Sequence, residues 1–111
     1  MRSHGILHPE LGAHLARLGH TDIFVIGDAG LPVPSGVPRV DLAVVLGVPG
    51  FAAVVDAILA EIVVEGAVIA AEAAGSPAGE TLAARFPGAQ SVPHEELKQR
   101  MAQARFVVRT G

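Results

Sequence analysis

Apolar residues along the chain fall into short continuous runs and longer stripes with helical spacing. Three runs, at residues 23–27, 40–47 and 105–109, are rich in β-branched side chains and too short for stable helices, so they predict strands. The first, IFVIG, is predicted to be buried on both faces because no polar residue interrupts it. Another strand is predicted within 65–73 (EGAVIAAEA), although the alanines of this segment are also typical of a helix.

Two helices are predicted in the first half of the chain. In residues 8–20, Pro9 stands where the first helical turn tolerates proline, and Gly19 is predicted to stop the helix. The second helix follows Pro49. Its apolar residues recur at the spacing of one helical face: Phe51, Val54, Val55, Ile58, Leu59 and Ile62.

Two more helices are predicted in the second half. Ser76 suits the N-cap of a helix over 78–86, and Pro93 precedes a helix over 94–104. Strands that alternate with helices at this spacing predict an α/β fold with three αβα layers and a largely parallel central sheet. Because no polar or low-complexity stretch divides the chain, residues 1–111 are predicted to form a single domain.

The composition restricts the possible functions. Half of the 111 residues are apolar but none is Trp or Tyr, so the core is predicted to consist mainly of Ala, Val, Leu and Ile. A domain this small cannot bury so much apolar surface within itself, which predicts a homo-oligomer. The net charge of −3 and the lack of a Lys/Arg run argue against nucleic acid and membrane partners. Since there is no Cys and no apolar signal segment at the N-terminus, a cytoplasmic protein is predicted.

The motifs do not favour a nucleotide or metal site. The glycines of GDAGLPVPSG follow a predicted strand, but there is no G-x-G-x-x-G and no Walker lysine. Prolines also stand where N–H groups should face a phosphate. Of the five histidines (His4, His8, His14, His20 and His94), only His4 and His8 are four residues apart, and His4 lies outside the predicted helices, so no two histidines are expected to bind a metal from one helix face. No cofactor is therefore predicted, and His4, His8 and His14 are interpreted as surface residues.

Polar residues at the two ends of the first predicted strand are candidates for chemistry. His20 follows a glycine that is predicted to stop a helix, where histidines are commonly solvated loop residues. Asp28 follows the strand; it is either a turn residue bonded to its own backbone or part of a ligand site, since open α/β sheets bind ligands at their carboxyl ends. His94 and Lys98 lie four residues apart on one predicted helix face, a spacing that is also common on exposed surfaces.

Four separated motifs resemble the D-ribose pyranase (RbsD) family of the RbsD/FucU group. They are RLGHTDIFVIGDAGLPVP (17–34), RVDLAVVLGVPGF (39–51), HEELK (94–98) and VVRTG (107–111). The resemblance runs from about Gly5 to Gly111, with the motifs in the same order and at similar spacing as in the family. The DAGLPVP segment is similar to the ribose branch of the group rather than to the fucose mutarotases.

This resemblance implies an isomerase that interconverts the pyranose and furanose forms of ribose without a cofactor. It implies His20 as the acid/base residue, Asp28 and His94 as sugar-binding residues and, less directly, Lys98 on the same helix face as His94. It also implies a cytoplasmic homo-oligomer, typically a decamer of two pentameric rings. The alternatives are a fucose mutarotase-like enzyme and a non-catalytic sugar-binding or scaffold protein.

One feature of that family has no counterpart in the chain. Family members continue beyond the R-[ST]-G segment into an E-x-x-P-Y-A-N-like motif whose Tyr and Asn help to bind the sugar. This sequence stops at Gly111 and contains no Tyr. The expectation is therefore an RbsD-like domain that lacks the C-terminal segment of the family and, with it, part of the pocket.

The spacing of His20 and Asp28 leads to a further prediction. If residues 21–27 are extended, these two residues lie roughly 20–26 Å apart at about 3.3 Å per residue, which is more than one pentose can bridge. Each site is therefore predicted to be shared between protomers. One protomer supplies His20, and its neighbour supplies Asp28 and His94.

Overall fold

The computed structural model describes residues 1–111 and contains five short strands and four α-helices. In chain order, the elements are α1 (Pro9–Ala16), β1 (Val25–Gly27), β2 (Arg39–Asp41), α2 (Phe51–Leu59), β3 (Val68–Ala70), a 3-10 turn (Ala71–Ala73), α3 (Pro77–Arg85), β4 (Gln90–Val92), α4 (His94–Met101) and β5 (Val107–Arg109). One parallel sheet has the strand order β1-β5-β2, and β3 and β4 form a second parallel pair. The predicted α/β class is confirmed.

The core is built around β5 and the residue that precedes it. Phe106, Val107 and Val108 are fully buried, as expected for an apolar run that has a paired strand on each side. The ring of Phe106 stacks on Phe24 with the ring centroids 5.2 Å apart. The core cluster around Phe106 and Val108 draws further side chains from the N-terminal segment, β2, α1 and α2: Ile6, Leu11, Leu15, Val40, Val54 and Ile58.

Strand β1 lies at an edge of its sheet. It pairs with β5 alone, and Val25 and Ile26 are only half-buried. The prediction that IFVIG is buried on both faces is therefore wrong. The apolar run correctly indicates a strand, but its burial depends on how many neighbours the strand has, and a run of residues does not encode that number.

The predicted strand at 40–47 is shorter in the structure. Its pairing with the central strand ends at Leu42, whose N–H donates to the carbonyl of Arg109. Beyond this point the chain forms a tight turn, in which Gly47 has φ +83° and the N–H of Val44 donates to the carbonyl of Val48. The apolar side chains of this turn are left exposed: Val44, Val45, Leu46 and Val48.

The helices follow the predicted pattern with different ends. Val54, Val55 and Ile58 of the predicted α2 stripe are buried, which confirms that this face packs on the core. Helix α1 ends at Ala16, before the glycine that was predicted to stop it, and α4 ends at Met101. Strand β4 was not predicted, because a three-residue segment with two polar residues carries no periodic signal. None of the helices combines the length and the apolar composition that are needed to cross a membrane.

Candidate functional site at the strand ends

Asp28 lies directly after β1, at the carboxyl edge of the three-stranded sheet. Its Oδ1 accepts the N–H of Gly30 at 2.9 Å, and its carbonyl accepts the N–H of Leu31 at 3.1 Å. Asp28 therefore does bond its own backbone in a turn. The side chain is exposed, and its second carboxylate oxygen has no hydrogen bond from the protein. That oxygen is free to accept a hydrogen bond from a ligand hydroxyl.

Arg109, at the end of β5, connects the neighbouring strand to the turn that carries Asp28. Its Nε and Nη2 donate to the two carboxylate oxygens of Asp41, the Nη2 bond measuring 3.0 Å. Its Nη1 donates to the carbonyl of Leu31 at 3.3 Å. Neither Arg109 nor Asp41 was identified from the sequence. The available signal was a pair of opposite charges at the ends of two strand segments, RVD and VVR.

Replacing Arg109 by Gln is expected to make stability depend less on acidic pH. The hydrogen bonds from Arg109 hold the pKa of Asp41 below its ordinary value of 3.8. A lowered folded-state pKa stabilises the fold above pH 3.8, and this stabilisation is lost as the pH falls through the folded-state pKa. Arg109→Gln should therefore be less stable than the unchanged protein at neutral pH, and the difference should shrink below pH 3.8.

Urea unfolding at a series of pH values measures this difference. Arg39→Gln is the matched control, because Nε of Arg39 lies 3.4 Å from Oδ2 of Asp41 and the Arg39 side chain is more exposed than that of Arg109. Its pH-dependent effect should be smaller. A stability difference for Arg109→Gln that stays constant across the acidic range would contradict the assignment.

His20 lies in the turn after α1 and is exposed. Its Nδ1 is 3.3 Å from Oε1 of Glu65, which precedes β3, and the two side chains are 81% and 68% exposed. The charge on Glu65 thus faces the nitrogen atom of His20 that lies nearer to the backbone. Sequence reasoning did not identify Glu65, because nothing in the local pattern indicates that it approaches a residue so far away along the chain.

The chain between His20 and Asp28 is extended over much of its length. Ile23 accepts a hydrogen bond from the N–H of Arg105, and Gly27 accepts one from the N–H of Thr110, so both residues lie alongside the β5 segment. Four steps of about 3.3 Å place Ile23 and Gly27 roughly 13 Å apart. His20 and Asp28 therefore lie beyond opposite ends of β1.

His94 is the first residue of α4 and follows β4. Its backbone N–H is shared by the two carboxylate oxygens of Glu72, at 3.1 and 3.2 Å. The N-cap residue, Pro93, provides no side-chain acceptor, so Glu72 supplies the acceptor that this helix end needs. The side chains of His94 and Lys98 are both exposed.

The segment around β3 contacts both predicted site histidines. Glu65, before β3, approaches His20, and Glu72, after β3, holds the backbone of His94. The two histidines are therefore placed at opposite ends of this strand. No hydrogen bond or ion pair joins His20, Asp28 and His94 to one another within the chain.

The structure has two clefts, of about 470 and 670 Å³, and none of these three residues lines either of them. One adjoins the ion pair of Asp22 with Arg105, and the other lies between the N-terminal segment and α1. No group of three or more His, Asp or Glu side chains is arranged to hold a metal ion. His20, Asp28 and His94 are therefore separate, exposed polar residues that lie near the ends of strands.

Two of the other histidines have structural contacts, which corrects their interpretation as ordinary surface residues. His8 is the N-cap of α1, and its Nδ1 accepts the N–H of Leu11 at 3.2 Å. The ring of His14 packs against the core, with its centroid 4.9 Å from that of Phe106. Both residues support the helix that precedes His20.

Comparisons with known proteins place these features in context. A sequence model of the RbsD / FucU transport protein family matches residues 1–111. The chain is 52% identical over 111 residues to D-ribose pyranase of Cutibacterium acnes, covering 100% of this chain and 87% of the relative. It is 53% identical over 113 residues to D-ribose pyranase 1 of Rubrobacter xylanophilus, covering 100% and 88%.

A solved structure has the same fold. The structure of Bacillus subtilis RbsD complexed with D-ribose superposes with a TM-score of 0.90 at 41% identity. The superposition covers 100% of this chain and 88% of that chain.

Proposed function

The chain belongs to the RbsD / FucU transport protein family, and on this premise we propose that it interconverts the pyranose and furanose forms of D-ribose. The observation that carries this function is the similarity to D-ribose pyranases over the whole chain, at 52% and 53% identity. A structure of the same fold was determined with D-ribose. The protein is accordingly an intramolecular isomerase.

His20 is the proposed acid/base residue. Opening the cyclic hemiacetal removes a proton from the anomeric hydroxyl and delivers one to the ring oxygen, and closure on another hydroxyl reverses these transfers. A histidine can hold and release a proton near neutral pH, so one imidazole suffices for both directions. Its exposure in the isolated chain leaves the ring open to a sugar.

Asp28 and His94 are the proposed sugar-binding residues. The free oxygen of Asp28 can accept hydrogen bonds from sugar hydroxyls, and the turn around it fixes where that oxygen points. Arg109 supports this position through the carbonyl of Leu31. His94 is held by Glu72 at its backbone, which leaves its ring available for another hydroxyl.

We further propose that each site is shared between protomers. The positions of His20 and Asp28 at opposite ends of β1, and of His20 and His94 at opposite ends of β3, support this arrangement. One protomer would supply His20, and its neighbour would supply Asp28 and His94. Contact between the two protomers would then enclose the exposed side chains of residues 20, 28 and 94, as the binding of a small polar ligand requires.

The proposed assembly is a homo-oligomer, with a decamer of two pentameric rings as the specific form. Four exposed apolar side chains in the turn at 44–48 support self-association, since soluble monomers rarely expose such a group. Native mass spectrometry measures the number of protomers directly.

The proposed location is the cytoplasm, which cell fractionation tests.

Measuring sugar exchange by NMR tests the activity. Saturation transfer between the β-pyranose and furanose signals of ribose should show faster exchange with the protein than in buffer alone. The same measurement with fucose distinguishes a mutarotase of the related branch. Perturbed ribose signals with exchange at the buffer rate would identify a non-catalytic sugar-binding protein and reject the proposed activity.

A further inference from the structure

Glu65 is the acidic residue nearest to the imidazole of His20. Its Oε1 lies 3.3 Å from Nδ1, and this is the sole ion pair formed by either side chain. Four residues earlier, Glu61 has a different role, because its Oε1 accepts the backbone N–H of Ile6 at 2.9 Å. Glu65 has no such backbone partner, so its carboxylate is directed to the histidine alone.

The ion pair of His20 with Glu65 contributes little to the stability of the fold. The two side chains are 81% and 68% exposed, and ion pairs in such surroundings contribute little to folding because water screens them. A carboxylate beside one imidazole nitrogen does, however, affect the chemistry of the ring. A neutral imidazole has one N–H, and an acceptor at Nδ1 keeps the proton there and leaves Nε2 with its lone pair.

We propose that Glu65 is a positioning residue for His20, an inference that rests on the acid/base role proposed for His20. The carboxylate orients the ring, fixes the tautomer protonated on Nδ1 and stabilises the imidazolium that forms when Nε2 takes a proton from the sugar. Nε2 is then the atom that exchanges protons with the anomeric hydroxyl and the ring oxygen.

The experiment compares Glu65→Gln with Glu65→Asp and with Glu80→Gln. Glu80 is the matched control, because it is an exposed glutamate with no ion pair, on α3. Glu65→Gln should lower kcat for ribose exchange about tenfold, a part of the ~10²–10⁴-fold expected from acid–base catalysis, with KM within about twofold. Glu65→Asp should recover part of the rate, and Glu80→Gln should leave kcat unchanged.

Two further readouts separate positioning from a general structural effect. In a His20→Ala background, Glu65→Gln should cause no further loss, since its effect passes through the imidazole. Long-range ¹H–¹⁵N spectra at alkaline pH, where imidazoles are neutral, should show His20 protonated on Nδ1 in the unchanged protein and a shift toward Nε2 in Glu65→Gln.

These readouts also distinguish this inference from the proposed function. If the unchanged protein leaves ribose exchange at the buffer rate, the proposed function fails, and the tautomer spectra still decide whether Glu65 fixes the ring. An unchanged tautomer in Glu65→Gln overturns the inference. An equal loss of rate in the presence and absence of His20 overturns it as well.

Discussion

Replacing His20 by alanine is expected to lower the protein-catalysed rate of ribose exchange by about 10²–10⁴-fold, the range typical of a lost general acid–base group. Without the imidazole, both proton transfers must use water. The fold should be retained, since the His20 side chain is 81% exposed and takes part in no core contact. Saturation transfer measures the rate, and circular dichroism confirms the secondary structure of the variant.

Mixing two inactive variants tests whether the site is shared. His20→Ala and Asp28→Ala proteins are each expected to be inactive, but a mixed oligomer should contain some sites with both residues intact. Activity should therefore reappear after subunit exchange. Each variant passed alone through the same exchange procedure is the control. Lack of recovery, with exchange proven by native mass spectrometry, would place both residues of a site in one protomer.

The largest expected loss of stability follows from Phe106→Ala. Phe106 is fully buried, stacks on Phe24 and packs against the ring of His14. Removing this ring beside the central strand leaves a cavity, because the surrounding strand and helices can relax only in part. The free energy of unfolding is expected to fall by about 3–5 kcal/mol.

Urea unfolding measures this change, with every protein at the same concentration because self-association alters apparent stability. Phe86→Ala is the matched control, since Phe86 is only half-buried at the end of α3, and its loss should be smaller. Equal losses for the two variants would show that the core is not centred on Phe106.

Much of the fold was predictable because local patterns report local structure. The run RFVVR indicated the strand that includes β5, the stripe of α2 indicated the buried face of that helix, and Ser76 correctly indicated the N-cap of α3. Two interpretations failed for one reason. IFVIG becomes a half-buried edge strand, and 44–48 becomes an exposed turn, because the strand pairing that would bury them depends on residues elsewhere in the chain.

The candidate site was predictable in its residue types but not in its contacts. His20, Asp28 and His94 came from motifs, and their joint role stays a prediction. The residues that contact these three residues, or the turns that carry them, could not be predicted from the sequence. Glu72 lies 22 residues from His94, and Arg109 lies 78 residues from Leu31, which belongs to the turn of Asp28.

By itself, the sequence determined the approximate positions of the four helices and of four of the five strands, and it provided His20, Asp28 and His94 as the candidate site residues. The tertiary structure alone decided that β5 is central, that Arg109 joins Asp41 to the Asp28 turn, and that Glu65 faces His20. The physical reason is the range of the interactions. Periodicity and capping act between residues a few positions apart, whereas strand order and charge pairing depend on how the whole chain packs.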